Sequence, residues 1–263
     1  IPESGNSVPD IIDEIKWGFE WLKKMQNNDG SVLSIQGLSH ASPPSAATGR
    51  SFYGPASTSA SLSTSAAFAL GAKVLGNLGI SEYTTYAADL KTRAENAWTW
   101  AVANPSVIVN NNTGIYAGLG AGDQEVDNNG RIAKKTRAAI YLFAATGSAT
   151  YQNLVTANYG DRANWVDIWN ENELMSWLYY ANLNGADATL ANKIKTQYAN
   201  AMNGSSNLGA MTNNTDAYRV YLGGDGNFTW GSNRSMSRKG TSFYNLISYS
   251  AGSADAGQVK NAA

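Results

Sequence analysis

IPESGNSVPDIIDEIKWGFEWLKKMQ, residues 1–26, is the stretch from which the rest of the chain can be read. Pro9 suits a helix start, with Ser7 ahead of it as a cap. Asp10, Asp13 and Glu14 fall in the early turns, where the helix dipole favours negative charge. Ile12, Ile15, Phe19 and Leu22 then recur at spacings of three and four, which predicts one buried stripe. The segment has no starter methionine, no basic n-region and no apolar signal core.

The same period runs outward through the chain. It predicts helices near 57–78, 81–104, 131–146, 148–158, 171–184, 187–203 and 232–251, with a last one beginning near Ser253. The 57–78 helix is built from Ala and Ser around Leu62, Phe68, Leu70, Val74 and Leu75, and small side chains let neighbouring helices approach closely. Four junctions are tight and stop on glycine: Gly79-Ile80-Ser81, Gly147-Ser148, Gly185-Ala186-Asp187 and Gly252-Ser253. Four others are long and polar: 27–56, 105–130, 159–170 and 204–231. With successive helices antiparallel, the tight turns gather at one end and the long loops at the other, where a site belongs.

This alternation predicts an all-α fold of αα-hairpins in a ring or solenoid, with only short extended pieces in the loops. Nine helices are read where a closed toroid of six hairpins needs twelve. The expectation is therefore a single incomplete (α/α)6-type domain over 1–263, about nine of twelve helices, truncated at both ends.

Composition narrows the function. A chain of 263 residues, 43 % of them hydrophobic, can bury a sizeable core. A net charge of −1 without basic runs argues against nucleic acid and anionic membranes as partners, and no apolar run is long enough to span a bilayer. There is no cysteine, and His40 is the only histidine, which removes thiol chemistry and multi-histidine metal sites. Eight Trp and fourteen Tyr on a chain with only 15 % charged residues suit a neutral polyhydroxylated ligand, although most of these aromatics are needed as core filling.

Ile-Pro-Glu-Ser-Gly-Asn at Ile1–Asn6, followed by Pro9-Asp10, Asp13-Glu14, Trp17 and Trp21, closely resembles a segment of the family 9 glycoside hydrolases, which are mostly endo-acting cellulases with an (α/α)6 barrel. The resemblance continues in the same order at Asp29-Gly30-Ser31-Val32, the small-residue helix from Ser57, Leu142 to Gly147 with Tyr151, and Trp230-Gly231-Ser232-Asn233. It implies inverting hydrolysis, in which one carboxylate activates water and a carboxylic acid across the bond protonates the leaving oxygen. The family's Asp-Ala-Gly-Asp base motif and its Arg-Asn-Pro stretch before the acid do not occur in this sequence, so the catalytic residues are unknown and expected outside it. Ala121-Gly122-Asp123, with Glu125 and Asp127, echoes the base motif but lacks its first Asp, and reads better as a solvated acidic loop or a weak cation site.

For substrate binding the resemblance points to Tyr116, whose family counterpart lines the cleft, and to His40 in the first long loop, where relatives place a substrate-contacting His or aromatic. Structural roles for both stay open. Phe52, Tyr53, Tyr218, Tyr221, Phe228 and Trp230 fall in or beside the long loops, where a flat aromatic face stacks on sugar C–H groups for about 1 kcal/mol each. Arg234 is placed to donate to sugar hydroxyls or to cap a surface helix, while Trp169 and Trp177 read as core. Many relatives hold calcium with an Asp-Glu pair that corresponds here to Ala133 and Lys134, and an acid before Trp-Gly is replaced by Phe228-Thr229. Calcium prefers carboxylate oxygens, so no metal and no cofactor are expected.

The resulting expectation is a segment of a secreted endo-β-1,4-glucanase acting on cellulose or related β-glucan, with β-glucan or cello-oligosaccharide as partner and self-association if truncated. The alternatives are a non-catalytic glucan-binding αα-toroid fragment and, less well matched by the single histidine, another αα-toroid enzyme such as a polysaccharide lyase.

Overall fold

The computed structural model describes residues 5, 8–37, 45, 51–110, 113–114, 125–167, 170–204, 207–209, 232–251, 257 and 259, except for the side chains of 232 and 234–236. Among the described residues there are eight α-helices and one two-stranded antiparallel sheet. The chain divides into two compact units, Ile1–Thr146 and Gly147–Ala263.

The first unit holds α1 (Asp10–Met25), β1 (Gln36–Gly37), β2 (Phe52–Tyr53), α2 (Thr58–Gly76), α3 (Ser81–Ala103) and α4 (Asn128–Thr146). β1 and β2 pair Gln36 with Tyr53 and Gly37 with Phe52. Contacts between named residues give the helix directions. Thr58 meets the backbone of Asn104, and Ser65 that of Ala94, so α2 and α3 run antiparallel. Ser59 meets Glu125 and Ser63 meets Lys134, so α4 runs parallel to α2. Polar pairs from Lys16–Glu82 through Glu20–Tyr86 and Lys23–Asp89 to Gln26–Arg93 tie α1 alongside α3, again parallel. This is the alternation that the tight and long junctions predict.

α2 is the central helix. It packs against α3 and α4, and Phe19 of α1 meets its Phe68 with ring centroids 6.1 Å apart. Leu62, Ala66, Phe68, Ala69, Ala72 and Leu75 are buried together with Ser57, Thr58, Ser59, Ser61, Thr64 and Ser65. A helix surrounded on this many sides tolerates only small or apolar side chains. Each fully buried large side chain, such as Phe68 or Leu90, contributes about 1.5–3 kcal/mol through removal from water.

The stripe on α1 is only partly buried. Ile12 and Phe19 are covered, but Ile15 is 41 % exposed. The apolar face is wider than α2 can cover, and an open cleft of about 230 Å³ remains, lined by Ile12, Ile15 and Phe19 from α1 and by Ala67, Leu70 and Val74 among others from α2.

The second unit holds α5 (Ala149–Ala157), a 3₁₀ turn (Arg162–Asn164), α6 (Glu171–Tyr180), α7 (Ala188–Met202) and α8 (Ser232–Ser248); Gly257 and Val259 are helical as well. α6 packs against α7, α8 and the 3₁₀ turn. Trp177 and Tyr198 are buried, Trp177 as the sequence predicts, and the Tyr198 hydroxyl donates to the Ser242 carbonyl at 2.7 Å.

Local chemistry sets the helix ends. Gly79, Gly147 and Gly185 all have positive φ, 72°, 70° and 85°, where a Cβ is strained, so three of the four tight junctions stop on glycine as expected; Gly252-Ser253 lies outside the described residues. Asp187 caps α7 by accepting the Leu190 N–H at 2.7 Å, and Ser57 caps α2 by accepting that of Ala60 at 3.1 Å. α4 begins at Asn128 rather than 131, because Asp127 Oδ1 accepts the Gly130 N–H at 2.7 Å and caps an extra turn. α6 ends at Tyr180 rather than 184, because Asn182 and Leu183 bond back to Tyr179 and Tyr180, tightening the chain toward Gly185. At the other helix start, Pro9 occupies the cap position itself and its carbonyl accepts the Ile12 N–H at 2.7 Å; Ser7 lies outside the described residues.

A Cβ added at Gly71 would lie 2.3 Å from Phe19 Cζ and 3.1 Å from Leu90 Cδ1. Gly71→Ala is therefore expected to displace the Phe19 ring and to lower stability by about 1–3 kcal/mol despite its better helix propensity, as read by denaturant unfolding.

Candidate functional site

The loop end of the first unit is held by hydroxyls on the first turns of α2. Thr58 Oγ1 donates to the Asn104 carbonyl and accepts the Val107 N–H at 3.0 Å, while the Thr58 N–H donates to the Val107 carbonyl at 2.9 Å. Ser61 Oγ donates to the Ser57 carbonyl at 2.9 Å and accepts the Val32 N–H at 3.0 Å. Ser59 Oγ donates to Glu125 Oε1, which also accepts the Val126 N–H at 2.9 Å, and Glu125 Oε2 accepts the Val109 N–H at 3.4 Å. Segments on either side of α2 in sequence, at residue 32 and at residues 104–126, are thus tied to one helix end. Loop amides that fold against a core need such partners. Glu125 is consequently an anchor that accepts three hydrogen bonds, and Asp127 is a helix cap; Asp123 lies outside the described residues.

At the foot of α1, Asp29 accepts both the N–H and the hydroxyl of Ser31, at 3.0 and 2.7 Å, and the Ser31 hydroxyl, followed by its N–H, holds the Asp29 carboxyl below its usual value. Met25, Val32 and Ala97 pack together beneath this turn. From there the chain enters the β1–β2 pair, where Phe52 and Tyr53 stand exposed, Tyr53 at 56 %.

The second unit has a built loop of its own between α5 and α6. Tyr159 is buried with its ring edge-on to Trp177, centroids 5.0 Å apart, and burial pushes its hydroxyl up to about 12. That hydroxyl donates to Gln197, whose amide donates to Asp161 Oδ1 at 2.8 Å. Lys193 reaches the same oxygen at 2.6 Å and, as the largest cause, holds the Asp161 carboxyl low. Further along, Asn170 accepts the Asp167 N–H at 2.8 Å and donates to the Trp165 carbonyl at 2.7 Å. The clamp fixes the backbone around Trp165, whose side chain is 59 % exposed. Lys239 is buried on α8, and loss of water pushes its ammonium down, partly offset by the charge of Asp167.

Of the residues singled out in sequence, Tyr53 is an exposed aromatic beside the first long loop. Arg234 lies in α8, but its side chain is not among those described. His40, Tyr116, Trp169, Tyr218, Tyr221, Phe228 and Trp230 lie outside the described residues. Sequence reasoning passed over Trp165. Its signal was present: a Trp in the long polar loop 159–170, close to Asp161, Asn164 and Asp167. At the positions that correspond to a calcium pair in relatives, Ala133 offers no side-chain oxygen and the Lys134 ammonium donates to Ser63 Oγ at 2.9 Å, so these two residues do not fit a calcium ion. Among the described residues no group of three or more His, Cys, Asp or Glu side chains is placed to hold a metal.

Packed helices with loops anchored by side-chain hydrogen bonds define an all-α architecture, which does not by itself fix a chemistry. The sequence profile of glycosyl hydrolase family 9 matches residues 1–262. The chain belongs to this family. The cellulose 1,4-beta-cellobiosidase of Acetivibrio thermocellus is 31 % identical over 164 residues, 58 % of this chain and 18 % of that protein. Endoglucanase C of Cellulomonas fimi is 29 % identical over 171 residues, 60 % of this chain and 14 % of that protein. Among solved structures, a metagenome-derived family 9 endoglucanase superposes with a TM-score of 0.78 at 24 % identity, covering 100 % of this chain and 46 % of that one. A Bacteroides ovatus GH9 structure gives 0.79 at 22 % identity, with 100 % and 48 % covered. The fold is therefore the α/α-toroid type of family 9, and the chain spans about half the length of the solved relatives and under a fifth of the curated ones.

Proposed function

We propose that this chain is the glucan-cleft portion of a family 9 glycoside hydrolase acting on cellulose or a related β-1,4-glucan, with an inverting, two-carboxylate mechanism. The single observation that carries this reading is the family match through residues 1–262, which runs across both compact units. Exposed loop aromatics support it: Tyr53 and Phe52 in the first unit and Trp165 in the second offer flat faces to sugar rings. His40, Tyr116, Tyr221, Trp230 and Arg234 are proposed as further contacts. The acid and base are proposed to be groups other than Glu125 and Asp127. Glu125 is occupied by three donors, and Asp127 caps a helix. The proposed role of these residues is to bind and orient glucan, while the bond-cutting carboxylates come from polypeptide with the family's Asp-Ala-Gly-Asp and Arg-Asn-Pro motifs. An insoluble polymeric substrate implies action outside the cell; among the described residues no helix is long and apolar enough to cross a membrane.

Titration of the full chain with cellohexaose tests this. Binding is expected, and Tyr53→Ala and Trp165→Ala are each expected to weaken it about five-fold, the equivalent of one stacking contact. Reducing-sugar release from soluble cellulose derivatives is expected to stay at background. Absence of binding would overturn the glucan reading, and turnover by this chain alone would overturn the placement of the carboxylates.

We also propose that the calcium site of many relatives is replaced here, with the Lys134 ammonium on Ser63 in its stead. The melting temperature is expected to be the same in calcium and in chelator. A rise on adding calcium, with an ion found beside residues 129–134, would contradict this.

A further inference from the structure

The outward face of α1 carries Glu14, Trp17, Trp21 and Lys24, all exposed, with Trp17 at 76 %. Steps of three, four and three residues keep them on one side of the helix, opposite Ile12 and Phe19, which are buried. Trp21 is not loose: its indole N–H donates to Gln36 Oε1 at 2.5 Å, so its polar edge is satisfied and its ring is held. A monomer gains nothing from presenting two tryptophans to water on a helix that is otherwise well tied down.

The spacing of these four residues is symmetric. Glu14 and Lys24 lie equally far from Phe19 in sequence, as do Trp17 and Trp21, and the two end residues carry opposite charges. We propose that this face is a self-complementary interface, in which a second copy of the chain packs α1 antiparallel on α1 about a twofold axis passing the helix at Phe19. A twofold contact uses the same patch on both copies, so each pairing occurs twice. In this register Trp17 of one copy lies opposite Trp21 of the other, and Glu14 lies opposite Lys24. A parallel pairing would set Glu14 on Glu14 and Lys24 on Lys24, which is repulsive. Gly18, beside Trp17, has open space around its missing Cβ and adds nothing to hold the helices apart. The near-zero net charge leaves little long-range repulsion between copies. A neutral glucan chain would also stack on tryptophan, but it has no use for an opposite charge at each end of the pair, so the second copy is the better fit.

A sixteen-residue helix is about 24 Å long. One helix pair with four tryptophans falls at the small end of specific interfaces, so the dimer is weak and concentration-dependent. Sedimentation velocity of the full chain over about 1–100 μM is the test. The chain is expected to shift from monomer toward dimer across that range. Trp17→Ala, Glu14→Lys and Lys24→Glu are each expected to weaken association at least about tenfold. The double variant Glu14→Lys/Lys24→Glu re-creates both pairs with reversed sign and is expected to restore association to within a few-fold. A monomer at every concentration would overturn the proposal, as would a double variant no stronger than the single ones. Trp17→Ala that leaves the mass unchanged while abolishing retention on cellulose would also overturn it and reassign the face to glucan.

Discussion

The structure of the first unit depends on the pairing of loop amides with hydroxyls at the start of α2. Long loops that fold against a helical scaffold bring backbone N–H and C=O groups out of water, and an unpaired buried one costs about 1–3 kcal/mol. Thr58, Ser59 and Ser61 meet that requirement for residues 32, 104, 107 and, through Glu125, 109 and 126. Their small size matters as much as their polarity. The same helix must let α3 and α4 approach and also meet Phe19 of α1, so its surface has no room for longer donors. Polar small residues on α2 therefore hold the loops, and the loops carry the exposed aromatics.

This arrangement explains a division of labour between the two ends of the helices. At the tight end, glycines with positive φ and short caps turn the chain with little side-chain chemistry. At the loop end, side chains do the fixing: hydroxyls in the first unit, and the Asn170 clamp with the Tyr159–Gln197–Asp161 chain in the second.

Helices were legible in the sequence because period and punctuation agree: apolar residues at three and four, then glycine, then Ser or Asp. The eight described helices stand where that pattern places them, and the departures are local. α4 starts early because Asp127 can reach back to cap it, and Ile15 is left half-covered because periodicity marks an apolar face without saying how much of it a neighbour will reach. The site was less legible. Glu125 and Asp127 read as a solvated acidic loop or a weak cation site, yet Glu125 is tied to Ser59 and Asp127 caps α4 at the Gly130 amide, and only three-dimensional contacts reveal such partners. Trp165 was missed because nothing in the sequence separates an exposed loop tryptophan from a core one such as Trp177, while the clamp that fixes its backbone is formed by a residue five positions away.

The role of the α2 hydroxyls is tested most directly by amide hydrogen exchange on Thr58→Val. This substitution keeps the shape of the side chain and removes its bonds to Asn104 and Val107. The account predicts faster exchange at Val107 and its neighbours through Val109, with the amides in the middle of α2 unchanged. Unchanged exchange at Val107 would contradict it, because the Thr58 hydroxyl would then not be what protects that amide.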